Sequence, residues 1–186
     1  MKKILKLTFI LFLICAVTAG ILGGVNELTY RRIDEQNRIK TVKAYSSVLP
    51  ADAYDEIDFA AAGVPATINK VTIDKISKAA NGSGYVVEST FSGAQGNITM
   101  AVGVNGSLRC TGISIIKHSE TSGLGANAAS PAEVGVNFRS QFIGQGGDVA
   151  LKKAGGDIDA LSGATITSTA VTKAVAVSIE AVSMLG

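Results

Sequence analysis

The segment Asp159-Ala160-Leu161-Ser162-Gly163-Ala164-Thr165 directly precedes a long stretch of helical periodicity, and Thr167, Ser168 and Thr169 follow just inside it. In such a place Ser162 or Thr165 is a candidate N-cap, its side-chain oxygen accepting an N–H of the first turn. The same helix end also presents unpaired N–H donors and about half a positive charge, a combination that suits a phosphate. Gly163 and Ala164 let the backbone approach an anion closely. Thr165 supplies a hydroxyl that can hold a phosphate or be esterified by one, and Thr167 and Ser168 add donors. On the residues alone, a capped helix and an anion site both remain open.

Other chemistry is poorly supplied. With one histidine, no Gly-x-Ser-x-Gly elbow and no second candidate base for Ser162, the residues argue against a hydrolase, and none is put forward as catalytic. One His and two Cys, Cys15 and Cys110, do not make a zinc or iron–sulfur spacing, so no metal ligand is assigned. No Gly-rich stretch ends in Lys-Ser/Thr or carries the dinucleotide fingerprint. The second glycine-bearing segment, His118-Ser119-Glu120-Thr121-Ser122-Gly123-Leu124-Gly125, reads by itself as a connection. Of 186 residues, 17 are Lys or Arg and 15 are Asp or Glu. Lys2, Lys3 and Lys6 precede the first apolar run, which leaves 14 basic against 15 acidic residues beyond it and no footprint for nucleic acid.

That run, Leu7 to Val25, holds 19 uncharged residues. As a helix it spans roughly 28 Å, close to a hydrocarbon core of about 30 Å. Small residues at Val17-Thr18-Ala19 also permit a cleaved signal peptide. Continuation of the run through Ile21, Leu22 and Val25 favours a retained anchor, and bulky Leu13 and Ile14 before Cys15 speak against a lipoprotein. Basic residues flank both sides, with Arg31, Arg32, Arg38, Lys40 and Lys43 following the run. A short anchor led by lysines is expected to keep its N-terminus in the cytoplasm and carry the following domain across the membrane. Cys15 then lies in lipid and Cys110 in the domain, buried on a strand as a small apolar residue. The span has no ionisable side chain from which an ion path could be built.

Residues 26–49 carry mixed charge with apolar Leu28, Ile33, Val42 and Leu49, which predicts a stalk helix ending before Pro50. Asp52, Asp55, Glu56, Asp58, Gly63 and Pro65 predict an irregular segment from 51 to 69. Period-two alternation then marks four strands, around Val71–Ile73, Tyr85–Phe91, Ile98–Val104 and Ile113–Ile115. Turn signals at Asn81-Gly82, Gly93 to Gly96 and Asn105-Gly106 join them into an antiparallel meander. Pro131 to Phe142 predicts a short helix with Val134, Phe138 and Phe142 on one stripe, and Val149 to Lys153 another strand. From Thr165 a closing helix buries Val171, Ala174, Val175, Ile179, Val182 and Leu185. The expected architecture is α+β: a transmembrane helix, then an antiparallel sheet with flanking helices. The expected divisions are 1–25 (cytoplasmic N-terminus and anchor), 26–69 (stalk and irregular segment) and 70–186 (the extracytoplasmic domain).

The 159–165 segment resembles the Asp-x-x-(Ser/Thr)-Gly-Ala-Thr flavinylation motif of extracytoplasmic FMN-binding domains, matching at every fixed position. The 118–125 segment resembles the Glu-Thr-Pro-Gly-Leu-Gly loop of the same domains, with Ser122 where the family has Pro. The order of anchor, stalk, sheet, loop and motif is similar to that of the G subunits of Rnf-type ion-translocating electron-transport complexes. The resemblance implies FMN joined to Thr165 through a phosphodiester by a flavin transferase that recognises Asp159. It implies a site formed by Ser162, Gly163, Ala164, Thr167 and Ser168 together with the loop. There Gly123 and Gly125 permit close approach, Leu124 offers an apolar face to the ring, and Glu120 and Thr121 orient it. The implied function is electron transfer within a membrane complex linking ferredoxin and NAD to ion movement, with the other subunits as partners.

Two alternatives stand beside it. The related C subunits of sodium-translocating NADH:quinone reductases share the anchor, loop and motif in a longer chain, and a flavin-bearing domain of another extracytoplasmic reductase would share them too. In a non-redox alternative, the protein is an anchored assembly module and the Ser-Gly-Ala-Thr turn only caps a helix.

Overall fold

A computed structural model describes residues 2–185, without the side chains of Lys2 and residues 30–34. The side chains of Arg31, Arg32 and Ile33 therefore lie outside the described residues. The chain divides into two compact units, Met1–Lys40 and Thr41–Gly186. Helix α1 (Lys2–Val48) is continuous, so the anchor and stalk read from the sequence are one element. Its stretch Lys3–Thr29 is long and apolar enough to cross a membrane, and its large apolar side chains from Ile4 to Val25 are exposed.

The second unit is built on a six-stranded antiparallel sheet: β1 (Tyr54–Ile57), β2 (Thr67–Ile68), β3 (Val71–Ala79), β4 (Gly84–Ser92), β5 (Asn97–Asn105) and β6 (Cys110–Lys117). β3 to β6 are the four expected strands, each paired with the next. The expected irregular stretch 51–69 instead contains β1 and β2, both paired with β3. Edge strands of four and two residues are too short to show a period, and an edge tolerates the exposed charges of Asp55 and Glu56. Between Ile68 and Val71, Asn69 and Lys70 both take positive φ (51° and 67°), the two-residue hairpin geometry usually signalled by Asn-Gly. The β5–β6 hairpin also departs from expectation, because Leu108 rather than Gly106 takes the positive φ (56°) and Asn105 Oδ1 accepts the N–H groups of Ser107 and Arg109.

A bulge between Ile73 and Lys75 shifts the alternation of β3 by one residue, so Val71, Ile73 and Ile76 all reach the same core. That core closes under α2 (Glu133–Ser140) and α3 (Thr165–Ser183). Val171, Ala174, Val175, Ile179 and Val182 are buried as the helical spacing requires, and Leu185 is half-buried against them. Among the buried hydroxyls of α3, Ser168, Thr172 and Ser178 donate to carbonyls one turn back. α2 starts later than expected and Val134 is exposed. Gly135 takes the buried position, because a Cβ there would meet the carbonyl oxygens of Asn127 and Ser130. Phe138 and Phe142 do pack, edge to face at 5.3 Å. The strand expected at Val149–Lys153 reduces to a bridge between Leu151 and Ile158 and a 3-10 turn, Lys152–Ala154, which Gly155 ends at φ +86°.

On the opposite face, Ala44, Tyr45, Val48 and Leu49 from the end of α1 cover Ala79, Val86 and Ala101. Close approach is possible because Gly103 and Gly112, paired across β5 and β6, lie under Val48. The Thr111 hydroxyl donates to the Val48 carbonyl, the Tyr54 hydroxyl to that of Leu49 (2.6 Å), and the Tyr45 hydroxyl to Glu88 (2.9 Å).

Cys110 is buried on β6, and burial, against a hydrogen bond to the Gly112 carbonyl, pushes its thiol up to about 11. Ser89, in the middle of β4, is fully buried and its hydroxyl has no partner among the described residues. Ser89→Ala is therefore expected to stabilise the domain by about 1 kcal/mol, since it removes a desolvated and unpaired group. In thermal unfolding this is a rise of about 2–4 °C, and a fall in Tm contradicts it.

Candidate functional site

Helix α3 begins at Thr165, and its N-cap is Ala164 (φ −130°, ψ 44°), with no side-chain cap hydrogen bond. Neither Ser162 nor Thr165 caps the helix, contrary to the simplest reading of the sequence. The physical reason lies in Ser168, whose buried hydroxyl accepts the N–H of Leu161 and donates to the Ala164 carbonyl, each at 2.9 Å. The incoming turn is thus held from within. The exposed Thr165 hydroxyl makes no hydrogen bond among the described residues. Gly163 enters the helix at φ +70°, a conformation in which a side chain is strained.

Thr167 is fully buried, and its hydroxyl donates to Glu120 Oε2 at 2.5 Å. The hydroxyls of Thr167 and Ser168, expected from the sequence to be anion donors, are therefore committed inside the protein. What this turn offers a ligand is the Thr165 hydroxyl and the first-turn N–H groups, which precede the first intrahelical bond at Ser168.

The 118–125 loop arrives from the end of β6. Glu120 is 8% exposed. Its Oε1 accepts the N–H groups of Ala94 (2.9 Å) and Gln95 (3.0 Å) in the β4–β5 turn. Burial raises its pKa, but the hydrogen bonds from Thr167, Gln95 and Ala94, with the charge of His118, outweigh burial and leave the group below its ordinary value. One carboxylate thereby joins the loop, the β4–β5 turn and the first turn of α3. Gly125 is obligatory beside it, because a Cβ there would run into both Glu120 Oε2 and Thr167 Oγ1. The Thr121 carbonyl accepts the N–H groups of Leu124 and Ala126, Gly123 turns the chain at φ +78°, and Leu124 is left 44% exposed. The loop needs no proline at position 122 to close.

Asp159 lies on the other side of the turn, exposed, and paired with Lys152 at 2.6 Å. Its backbone is held by Gln141, whose Oε1 accepts the Asp159 N–H at 2.7 Å and whose Nε2 donates to its carbonyl at 3.3 Å. Asp159 and Ser162 border a separate shallow depression against Asn137 and Gln141.

The two segments, 34 or more residues apart in sequence, meet at an open cleft of about 320 Å³. Glu120, Thr121, Leu124 and Gly125 form one wall and Gly163 to Thr167 the other, with Ala94 and Gln95 between them. Gly163 lies so near Leu124 that a Cβ would stand 2.9 Å from its Cδ2. Gly123, Ser162 and Ser168 do not line the cleft. Ala94, Gln95 and Ile166 do, and nothing in their residue types marked them, since Gly93 to Gly96 reads in sequence only as a hairpin turn. On its other side Thr165 borders a second depression of about 350 Å³ with Thr169, Lys173, Val149 and Lys153.

Residues 93–180 match the FMN-binding domain, and residues 1–48 the RnfG N-terminal region. Over 98% of this chain and 96% of the relative, the sequence is 34% identical to the G subunit of the ion-translocating oxidoreductase complex of Methanosarcina acetivorans. The chain belongs to the RnfG family. Other members are the G subunit of the Na(+)-translocating ferredoxin:NAD(+) oxidoreductase complex of Acetobacterium woodii, 35% identical over 96% of this chain and 91% of the relative, and a Haemophilus influenzae G subunit, 33% identical over 89% and 81%.

Both walls of the cleft fall inside the FMN-binding match. Its size lies in the range of small-molecule sites, about 300–1,000 Å³. The Thr165 hydroxyl and the first-turn N–H groups, unpaired among the described residues, together with Gly163 and Gly125 suit a phosphate such as that of FMN, and the exposed Leu124 side chain offers an apolar surface beside them. In this member of the RnfG family, Gly163→Val is expected to lose at least about 2 kcal/mol of stability, from a β-branched residue at positive φ plus the collision with Leu124. Denaturant unfolding measures it, and an unchanged midpoint contradicts it.

Proposed function

We propose that this protein is the electron-transfer subunit of an Rnf-type ion-translocating oxidoreductase, linked to ferredoxin and NAD, and that it carries FMN joined to Thr165 by a phosphodiester. Family membership supports the complex and its other subunits as partners, and the match over residues 93–180 supports FMN. The single observation that carries the attachment is Thr165 itself: an exposed hydroxyl, without a partner among the described residues, at the first position of α3 and on the edge of a cleft formed by the two motif segments.

In this reading Gly163 and Ala164 admit the phosphate, and the N–H groups of the first turn stabilise its charge. Leu124 and Gly125 form the apolar side against the ring, and Thr121 lies at its rim. Glu120 acts from the buried end of the cleft, with the N–H groups of Ala94 and Gln95 on one oxygen and the Thr167 hydroxyl on the other. FMN supplies one- and two-electron chemistry when bound, and the protein holds and orients it. Asp159, presented at the surface by Gln141 and Lys152, serves recognition by a flavin transferase. Helix α1 anchors the protein in the membrane, and the FMN-binding domain, assigned to residues 70–186, works on the extracytoplasmic side. A covalent tether suits that location because a cofactor lost there is not recovered.

Mass spectrometry of protein isolated from its own cells tests the reading. The expected result is an increment of one FMN less one water on the peptide containing Thr165. An unmodified Thr165 in such protein overturns it.

A further inference from the structure

Resting on the reading that FMN is tethered at Thr165, we propose that the Glu120 carboxylate is a fixed negative charge that opposes electron uptake by the flavin in the adjoining cleft. Glu120 lines that cleft from its buried end. Both of its oxygens are held by neutral donors: the N–H groups of Ala94 and Gln95 on one, the Thr167 hydroxyl on the other. Neutral donors fix a charge in place without cancelling it. The ion pairs among the described residues are Lys75–Glu56 and Lys152–Asp159, and neither involves Glu120.

The surroundings are shaped for this carboxylate. A Cβ on Gly93 would collide with Oε1, and one on Gly125 with Oε2, so a glycine stands on each side of it. The β4–β5 turn and the first turn of α3 bring no titratable side chain to it. From its own loop comes His118, whose Nδ1 faces the Glu120 N–H at 3.3 Å.

One electron passed to the flavin from a one-electron donor adds one negative charge to the cleft unless a proton follows. Repulsion from a carboxylate in a partly dehydrated place is screened far less than in water, so that step is disfavoured. Glu120 is a positioning residue for the cleft walls and, through its charge, sets how readily the cleft accepts an electron.

The test uses flavin-loaded full-length protein, with loading checked as fluorescence of the denatured band, titrated with dithionite at about pH 7.5, above the ordinary carboxyl range. Glu120→Gln keeps an acceptor for Ala94 and Gln95 but loses the charge. Its first-electron equilibrium is expected to move about tenfold toward reduction, which is about 59 mV for a one-electron couple. The gap from wild type should close in acid as the wild-type carboxyl takes up its proton. Equal potentials at that neutral pH, or a gap indifferent to pH, overturn the proposal. If Glu120→Gln accepts no flavin, Thr167→Val keeps the carboxylate and removes one of its three donors. Its potential should then begin to rise at a higher pH than in wild type, and superimposable pH curves overturn the proposal. A wild-type band without fluorescence, in protein isolated from its own cells, overturns the tether at Thr165 before any titration, so the two failures are distinct.

Discussion

Thr165→Ala is expected to abolish covalent flavin, with fluorescence of the denatured band at background and the Thr165-bearing peptide at its unmodified mass. Its fold should survive almost unchanged. Ala164 is the N-cap and the Thr165 hydroxyl has no partner among the described residues. The substitution therefore belongs with surface changes worth within about 0.5 kcal/mol. Had Thr165 been the cap, as its place before the helix suggests, about 1 kcal/mol would be lost. Thermal unfolding of wild-type and variant protein, both made without the transferase, measures this directly. Flavin retained at full level on the denatured variant contradicts the attachment site.

Glu120→Ala has the largest expected effect on stability. It leaves the N–H groups of Ala94 and Gln95 and the hydroxyl of Thr167 without their acceptor. Each buried group left unsatisfied costs about 1–3 kcal/mol, and with water reaching the open side of the cleft the total is about 3 kcal/mol. The pH dependence follows from the direction of the shift. Burial raises the Glu120 pKa, but its donors and His118 outweigh burial and the folded value is depressed. Its stabilisation is then fully present above the carboxyl's unfolded pKa and is lost as pH falls through the folded one. Denaturant titrations should show the wild-type advantage over Glu120→Ala intact near neutral pH and shrinking in acid. An advantage that grows in acid, or is missing at neutral pH, contradicts this account of Glu120.

The fold was legible where period and length were sufficient. Alternation around Val71–Ile73, Tyr85–Phe91, Ile98–Val104 and Ile113–Ile115 marked strands that run to eight or nine residues, and an apolar helical spacing from Val171 to Leu185 marked α3. β1 and β2 were not marked, because an edge strand of two to four residues has too few positions to establish a period, and β1 in addition carries the exposed charges of Asp55 and Glu56. Asn69-Lys70 formed a hairpin turn without the usual glycine, since pairing of the flanking strands with each other holds both residues at positive φ. Val134 fell out of the α2 stripe because the neighbouring loop leaves room only for Gly135.

The residue types of the two segments, the helix that follows the second of them, and the glycines that allow a close approach are written in the order of residues. Those properties are local: residue types and backbone freedom act within a few positions of the chain. Which hydroxyls are taken up inside the protein is settled by folding. Thr167 and Ser168 look like donors in sequence, but the first turn of α3 packs them inward, where Glu120 and the incoming turn claim them, and Thr165 stays exposed with no partner among the described residues. That Glu120 joins three separate segments was equally invisible, because its three donors come from a turn about 25 residues before it and a helix 47 residues after it, and only folding brings them to one carboxylate.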